Sequence, residues 1–246
     1  MSHVTALWRH PIKAHGREAL DRVTLIKGQA MPFDRLWAVA HDSAKAQSGE
    51  WAPCANFNRG ARTAGLMAID ATLDPASEEI TLRHPDLPDI TLHPERDSAA
   101  LLDWVRPLCD PQRGRPDRVM RLEGRGYTDT PFASISICNT ASHAAVESLA
   151  MAPLQPERWR GNIWIEGPAA WEEFDWIGRD ARLGTARLRI EERITRCKAT
   201  TVNTQTGARD VDTLAALRML DHQDFGIYAT VVEGGDIVLG DRLELI

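Results

Sequence analysis

The feature that most constrains the fold is a succession of short β-branched and aliphatic runs, each cut off by turn residues after a handful of positions. Residues 3–9, 23–27, 36–41, 66–73, 80–83, 90–93, 133–138, 162–166, 187–191 and 200–203 all read as strands. The turn Asp74-Pro75-Ala76-Ser77 joins two of them as a hairpin. A second hairpin signature runs from 226–232 through Glu233-Gly234-Gly235-Asp236 into 237–246. Helical periodicity is confined to three places: from a Ser98 cap through Val105, from Asn139 or Thr140 to about Ala150, and from Asp212 through Leu220. The pattern predicts an α+β, mostly β chain built as two β-barrel-like units with a few peripheral helices. Residues 110–116, rich in proline, glycine and arginine, read as the linker, dividing the chain into units 1–112 and 113–246.

Composition narrows the function classes. With 246 residues and 43% hydrophobic content the chain can bury a core without staples, and disorder or fibrous architecture is excluded. No apolar run approaches the ~20 residues that span a bilayer. The N-terminus has no apolar stretch of the secretory kind. A net charge of −6 argues against bulk nucleic-acid binding but leaves room for a local basic pocket. Four cysteines, Cys54, Cys109, Cys138 and Cys197, are scattered without a C-x-x-C pair. That excludes a zinc ribbon, a thioredoxin-type pair and an iron–sulfur cluster, and reads as reduced thiols in a cytoplasm.

Three stretches could carry chemistry. In Arg193-Ile194-Thr195-Arg196-Cys197-Lys198 a thiol stands among three cations. Nearby positive charge favours thiolate, which is a nucleophile or a soft metal ligand. The plain alternative is a packed strand cysteine with flanking surface cations. In Arg158-Trp159-Arg160-Gly161-Asn162, an extended backbone would put Arg158, Arg160 and Asn162 on one face, a set suited to phosphate. The alternative is a solvated cationic edge strand. His10-Pro11-Ile12-Lys13 and Asp34-Arg35-Leu36-Trp37 are weaker signals: only four of the 29 basic residues are lysine, so each lysine stands out. There is no G-x-S-x-G elbow, P-loop, G-x-G-x-x-G or H-E-x-x-H, which leaves serine hydrolase, nucleotide hydrolase, Rossmann oxidoreductase and zincin unsupported.

Taken in order, these pieces resemble the MOSC-domain family preceded by its N-terminal β-barrel domain. Within it they are similar to the mitochondrial amidoxime-reducing component and its bacterial relatives. The family's Y-P-V-K-S and G-D-R-x-W appear as His10-Pro11-Ile12-Lys13-Ala14 and Phe33-Asp34-Arg35-Leu36-Trp37. R-F-R-P-N-I appears as Arg158-Trp159-Arg160-Gly161-Asn162-Ile163, and the block ending in I-G as Glu172-Glu173-Phe174-Asp175-Trp176-Ile177-Gly178. R-C-x-x-T-T-V-x-x-x-T-G stands as Arg196-Cys197-Lys198-Ala199-Thr200-Thr201-Val202-Asn203-Thr204-Gln205-Thr206-Gly207. Phe225-Gly226-Ile227-Tyr228 and residues 235–241 close the series. Ala14, Gly161, Thr195 and Asn203 depart from the usual residues, and residues 49–62 depart most.

The resemblance implies a molybdenum cofactor, Mo-molybdopterin, with Cys197 as a metal ligand and catalytic residue. It implies cofactor contacts from Lys13, Arg35, Arg160, Asn162, Arg196 and Tyr228, and more loosely from Asp129 and Thr130. The implied activity is reduction of small N-hydroxylated compounds such as amidoximes, hydroxylamines or N-hydroxylated bases. The chain ends at Ile246 with no cluster-binding cysteines of its own, so electrons are expected from a separate donor protein of the ferredoxin, cytochrome b5-like or flavin reductase type. A rival reading makes the chain a molybdenum cofactor or sulfur carrier that uses a Cys197 persulfide.

Overall fold

The computed structural model describes residues 2–110, 112 and 114–246. Residues 111 and 113 of the expected linker lie outside that set, and with 113 one side of the expected boundary between 112 and 113. Fifteen strands are described: β1 (Ser2–Arg9), β2 (Glu18–Leu20), β3 (Arg22–Leu25), β4 (Trp37–His41), β5 (Asp70–Leu73), β6 (Ile80–His84), β7 (Leu87–Leu92), β8 (Pro116–Arg121), β9 (Ile135–Asn139), β10 (Ile163–Glu166), β11 (Asp180–Leu183), β12 (Ala186–Thr195), β13 (Asp224–Glu233), β14 (Gly235–Val238) and β15 (Arg242–Leu245). Three α-helices accompany them: α1 (Ser98–Val105), α2 (Thr140–Ala150) and α3 (Thr213–Arg218). The chain is therefore α+β and mostly β. No helix among the described residues is long and apolar enough to cross a membrane.

Seven strands close a barrel in the order β10-β9-β13-β12-β11-β15-β1, shut by pairing of β1 with β10. All neighbours are antiparallel except β9 and β10. Alternation makes the core: Leu188 and Ile190 of β12, Ile227, Ala229 and Val231 of β13, and Ile135 and Ile137 of β9 all turn inward. The stave β1 comes from the start of the chain, and β3 pairs with β14, so the barrel unit draws on both sides of residue 112. Residues 37–121 add two open sheets, β4–β8 and β5-β6-β7. These share a core of Trp37, Leu66, Ile69, Ile80, Leu82, Leu101 and Val105 with α1.

Several local expectations change. The 226–246 hairpin does not form: β13 pairs with β9 and β12, while β14 crosses to β3. The crossing is tight, since a Cβ on Gly235 would lie 2.5 Å from the carbonyl carbon of Thr185. Residues 198–201 are a 3-10 turn, not a strand. Thr200 Oγ1 donates to the carbonyl of Cys197 (3.1 Å) and Thr201 Oγ1 to that of Lys198 (2.9 Å), which closes the turn against the β preference of threonine. Ser98 is the first helical residue of α1, and the Asp97 before it uses its carboxylate on the His93 amide (2.9 Å). The Asn139 and Asp212 caps form as expected, although α3 stops at Arg218.

Candidate functional site

The cavity of interest measures about 230 Å3 and lies at the end of the barrel where β12 gives way to the Cys197 turn. Its wall includes Lys13, Arg35, Asp129, Arg160, Arg196, Cys197 and Tyr228, drawn from six separate stretches of chain. Asn162 borders a small neighbouring recess that also touches Arg35, Asp129 and Tyr228. Both ends of its amide are engaged: Oδ1 accepts from the Ser136 amide and hydroxyl (3.1 and 2.8 Å), and Nδ2 donates to the Trp8 carbonyl (3.2 Å). Thr130 is not brought to the cavity. It is buried, and its hydroxyl bonds the Phe132 carbonyl (2.7 Å) and Ser134 (2.8 Å).

Each cation is set by backbone. The Lys13 amide donates to the Trp37 carbonyl (2.7 Å), so the turn after β1 rests on β4. Its Nζ then reaches the Tyr127 carbonyl (2.7 Å) and Asp129 Oδ1 (2.5 Å). Partial desolvation at the cavity wall works against the Asp129 charge although its side chain is half exposed, but Lys13 and Arg35 outweigh it and hold the carboxyl down at about 2. Arg35 pairs with the buried carboxylate of Asp34, and its Nη2 donates to the Arg160 carbonyl (3.2 Å). Asp34 Oδ1 accepts from the His10 amide (2.8 Å) and meets His10 Nδ1 (3.1 Å). Burial, followed by the Arg160 charge, lowers the His10 imidazole to about 3, so it is neutral near pH 7.

The expected one-face array of Arg158, Arg160 and Asn162 is overturned. Residues 156–159 form a 3-10 turn, and Arg160 follows in the left-handed region at φ 50°. Arg158 therefore turns away into the protein, where it pairs with Asp210 (3.0 Å) and donates to the Thr200 carbonyl (3.2 Å). Both arginines border the cavity, but whereas Arg158 is held by Asp210, Arg160 has no carboxylate partner there among the described residues. One of its terminal nitrogens reaches the Gly16 carbonyl (3.2 Å), while Nη2 is buried with no partner. Burial first, then the neighbouring Arg35, pushes its proton affinity down to about 9. Ala14 (φ 64°) and Arg35 (φ 54°) are left-handed too, so non-glycine backbone strain gathers on this wall.

Cys197 is exposed and follows directly on β12. Two of the three cations around it in sequence are engaged elsewhere. Arg193 lies over the Phe174 ring, 4.4 Å from the centroid. Arg196 donates to the carbonyls of Phe225 (2.8 Å) and Trp159 (2.6 Å), whose rings stack on each other at 3.9 Å. Arg196 thus braces the residue before the thiol. The backbone there is tied a second time, through Gln223 Nε2 to the Arg196 carbonyl (2.6 Å). Tyr228 reaches the wall from β13. Burial, reinforced by Asp129, raises its phenol so that it stays protonated across the neutral range.

The cavity also includes Cys54, Arg59, Ala61, Met67 and Ser136, which carried no sequence signal. Cys54 and Met67 lie in 3-10 turns, Arg59 and Ala61 in the loop between them and Ser136 on β9, and none belongs to a motif that spacing would reveal. Away from the cavity, Glu78, His93 and Glu95 bring three potential metal ligands together. Arg121 already stands among them, 2.6 Å from Glu78 and 3.0 Å from Glu95, and supplies the positive charge.

Comparison with known proteins supplies the remaining finding. Residues 125–244 match the family model described as MOSC domain. A molybdenum cofactor sulfurase from Drosophila ananassae is 27% identical over 134 residues, which is 50% of this chain and 17% of that protein. The chain therefore spans about a sixth of that relative's length. Among solved structures, the YuaD protein from Bacillus subtilis is similar in fold at a TM-score of 0.51 and 14% identity, covering 100% of this chain and 96% of that one. YiiM from Geobacillus stearothermophilus aligns at a TM-score of 0.36 and 18% identity over 46% of this chain and 53% of its own.

Proposed function

Residues 125–244 form a MOSC domain, and from that premise we propose that the chain is a molybdenum-cofactor-dependent reductase of small N-hydroxylated compounds. The observation that carries this reading is the convergence of one exposed thiol and an under-partnered arginine on a single cavity. Arg160 Nη2 is buried with nothing to bond, which is costly unless a ligand oxygen meets it. Lys13 and Arg35 each face a carboxylate, Asp129 and Asp34, whereas Arg160 faces none among the described residues, so an anionic group such as the cofactor's phosphate suits it, with Lys13 and Arg35 beside it. A thiolate at Cys197 is the soft donor that molybdenum takes. The donor set fits the cofactor.

When bound, the cofactor supplies two-electron redox chemistry at its metal. The reaction balances as N–OH plus two electrons and two protons giving N–H and water. In this chain Cys197 would hold the metal, and Lys13, Arg35 and Arg160 the phosphate. Tyr228 Oη keeps its proton near pH 7 and would serve as a donor on the cavity wall. Asp129 stays ionised and orients Lys13 rather than delivering a proton. Electrons come from a separate donor protein. The free cysteines suit a reducing cytoplasm.

The sulfur-carrier reading keeps support from the exposure of Cys197 and from the sulfurase likeness. One experiment separates the two. The chain is expressed in a host that makes the cofactor, and molybdenum, pterin and turnover of benzamidoxime with a chemical reductant are measured for the wild type and Cys197→Ser. The reductase reading expects about one molybdenum per chain and turnover that Cys197→Ser abolishes while pterin is retained. Absence of both metal and pterin, with a persulfide on Cys197, would establish the carrier instead.

A further inference from the structure

We propose that Arg59 is an anion-recognising residue on the outer wall of this cavity, and that the compound taken there carries a carboxylate or phosphate on a short apolar spacer beside its N–OH group; the N–OH part rests on the reductase reading above. Arg59 lies in the stretch that departs most from the family's blocks, so this selectivity belongs to the chain's own sequence.

The loop is held rigidly next to the thiol. The Asn58 amide donates to the Val39 carbonyl (2.9 Å), and the amides of Arg62 and Thr63 both donate to the Arg59 carbonyl (2.9 Å each). Arg209 then ties two elements together with one guanidinium. Its Nη2 donates to the Ala61 carbonyl (2.9 Å), and its Nη1 to the Lys198 carbonyl (2.5 Å) and Thr201 Oγ1 (2.6 Å). The Arg59 loop is thereby fixed to the turn that follows Cys197. Gly60 packs so closely that a Cβ would lie 2.5 Å from Met67 Sδ and 3.5 Å from Ala199 Cβ.

The Arg59 guanidinium is short of partners. Its Nη1 donates to Cys54 Sγ (2.8 Å), a weak acceptor, and its Nε is buried with no partner. Among the described residues no carboxylate lies within ion-pair distance of it, whereas Lys13, Arg35 and Arg158 each face one. The charges acting most on Arg160 are Arg35, Asp34, Arg17 and Asp129, so Arg59 stands apart from the inner cationic set. A half-buried guanidinium without a counter-charge favours an arriving anion, and its planar fork matches carboxylate or phosphate. The wall that holds Arg59 and Cys197 also includes Ala61, Met67 and Ala199, which suits an apolar spacer.

The test uses the full chain loaded with cofactor, as wild type and Arg59→Gln, with 4-carboxybenzamidoxime against benzamidoxime. The wild type is expected to favour the carboxylate through KM, and Arg59→Gln to lower the ratio of the two kcat/KM values about tenfold or more. Pterin content is expected to be unchanged. A fall in pterin with an unchanged ratio would assign Arg59 to the cofactor's phosphate and overturn the proposal, as would equal ratios in both proteins. If neither compound turns over, the reductase reading fails on its own. Quenching of tryptophan fluorescence by benzoate against benzamide then decides: loss of benzoate binding in Arg59→Gln supports the anion site, and equal binding overturns it. If the variant does not fold, the wild-type ratio is followed as salt rises from about 20 to about 500 mM; a fall supports the charge contact and constancy overturns it.

Discussion

Replacing Asp210 with alanine removes the counter-charge of Arg158, whose side chain is fully buried. Asp210 accepts four hydrogen bonds: from Arg158 Nη1 (3.0 Å) and Nη2 (3.2 Å), from Asn203 Nδ2 (2.9 Å) and from the Val211 amide (2.7 Å). Stripping one partner from a buried pair costs about 3–5 kcal/mol, because the surviving charge is left uncompensated. Asp210 itself is about one-third exposed, at 33%, so water takes over part of the lost interaction. Discounted for that screening, the expected loss is about 2 kcal/mol. For a chain of this size each kcal/mol lowers the melting temperature by roughly 2–4 °C, giving a drop of about 4–8 °C. The damage is directed at the site, because the same guanidinium holds the Thr200 carbonyl (3.2 Å) in the turn after Cys197.

The pH dependence follows from the sign of the Asp210 shift. Burial raises its pKa, but the hydrogen bonds from Arg158 and Asn203 outweigh burial and leave it below the usual carboxylate value. A depressed folded pKa contributes stability that is fully present above the unfolded value of about 4 and is lost as pH falls through the folded value. The gap between wild type and Asp210→Ala, read by differential scanning calorimetry, is expected to be widest near neutrality and to narrow in acid. A gap under about 1 °C near pH 7, or one constant down to about pH 2, would show that the ion pair does not stabilise the turn.

Two further outcomes are expected. Glu173 is fully buried; burial raises its pKa against the opposing hydrogen bonds of Asn139 and Ser142, so folding takes up a proton and stability declines as pH rises above the unfolded value. Glu173→Gln should flatten that decline in thermal melts, and parallel wild-type and variant curves would rule the assignment out. A fragment of residues 113–246 lacks β1 and β3, leaving β10 and β15 as open edges, and is expected to give no cooperative melt; a folded monomeric fragment would refute it.

Strand positions were legible because alternation is local: Ala186, Leu188 and Ile190 of β12 and Ile227, Ala229 and Val231 of β13 face one core, and the sequence carries that period directly. Strand partners were not. The Glu233-Gly234-Gly235-Asp236 turn looks like a hairpin to any reading of neighbours, yet Gly235–Val238 finds a partner more than two hundred positions upstream, at Arg22–Leu25. The Thr200–Thr201 turn failed for a related reason. The hydroxyls that close it also depend on Thr213, whose Oγ1 lies 2.7 Å from that of Thr200. For the site, ordered sequence blocks named Cys197 and most of the cavity wall. They did not show that Arg158 and Arg160 part company, since that depends on one left-handed residue.

The cationic wall illustrates why such a site resists reading from any one segment. Arg35 sits in the left-handed region, a conformation costing about 1–2 kcal/mol for a residue with a Cβ. Two distant segments and the neighbouring Asp34 offset that cost. The Arg35 amide donates to the His10 carbonyl (2.7 Å), its carbonyl accepts from the Tyr127 amide (2.8 Å), and its guanidinium pairs with Asp34. Gly126 has to be glycine there: it is itself left-handed, and a Cβ would come 2.4 Å from the Asp34 carbonyl oxygen. Residues 10–13, 33–37 and 126–129 are thus one unit whose product is the placement of two cations, Lys13 against the exposed Asp129 and Arg35 against the buried Asp34. Each piece taken alone is a proline turn, a charged pair or a glycine loop of ordinary kind. Once assembled, the three pieces balance their own charges, and the Arg35 guanidinium also donates to the Arg160 carbonyl (3.2 Å), so Arg160, which has no carboxylate partner among the described residues, is what makes the cavity a place for an anion.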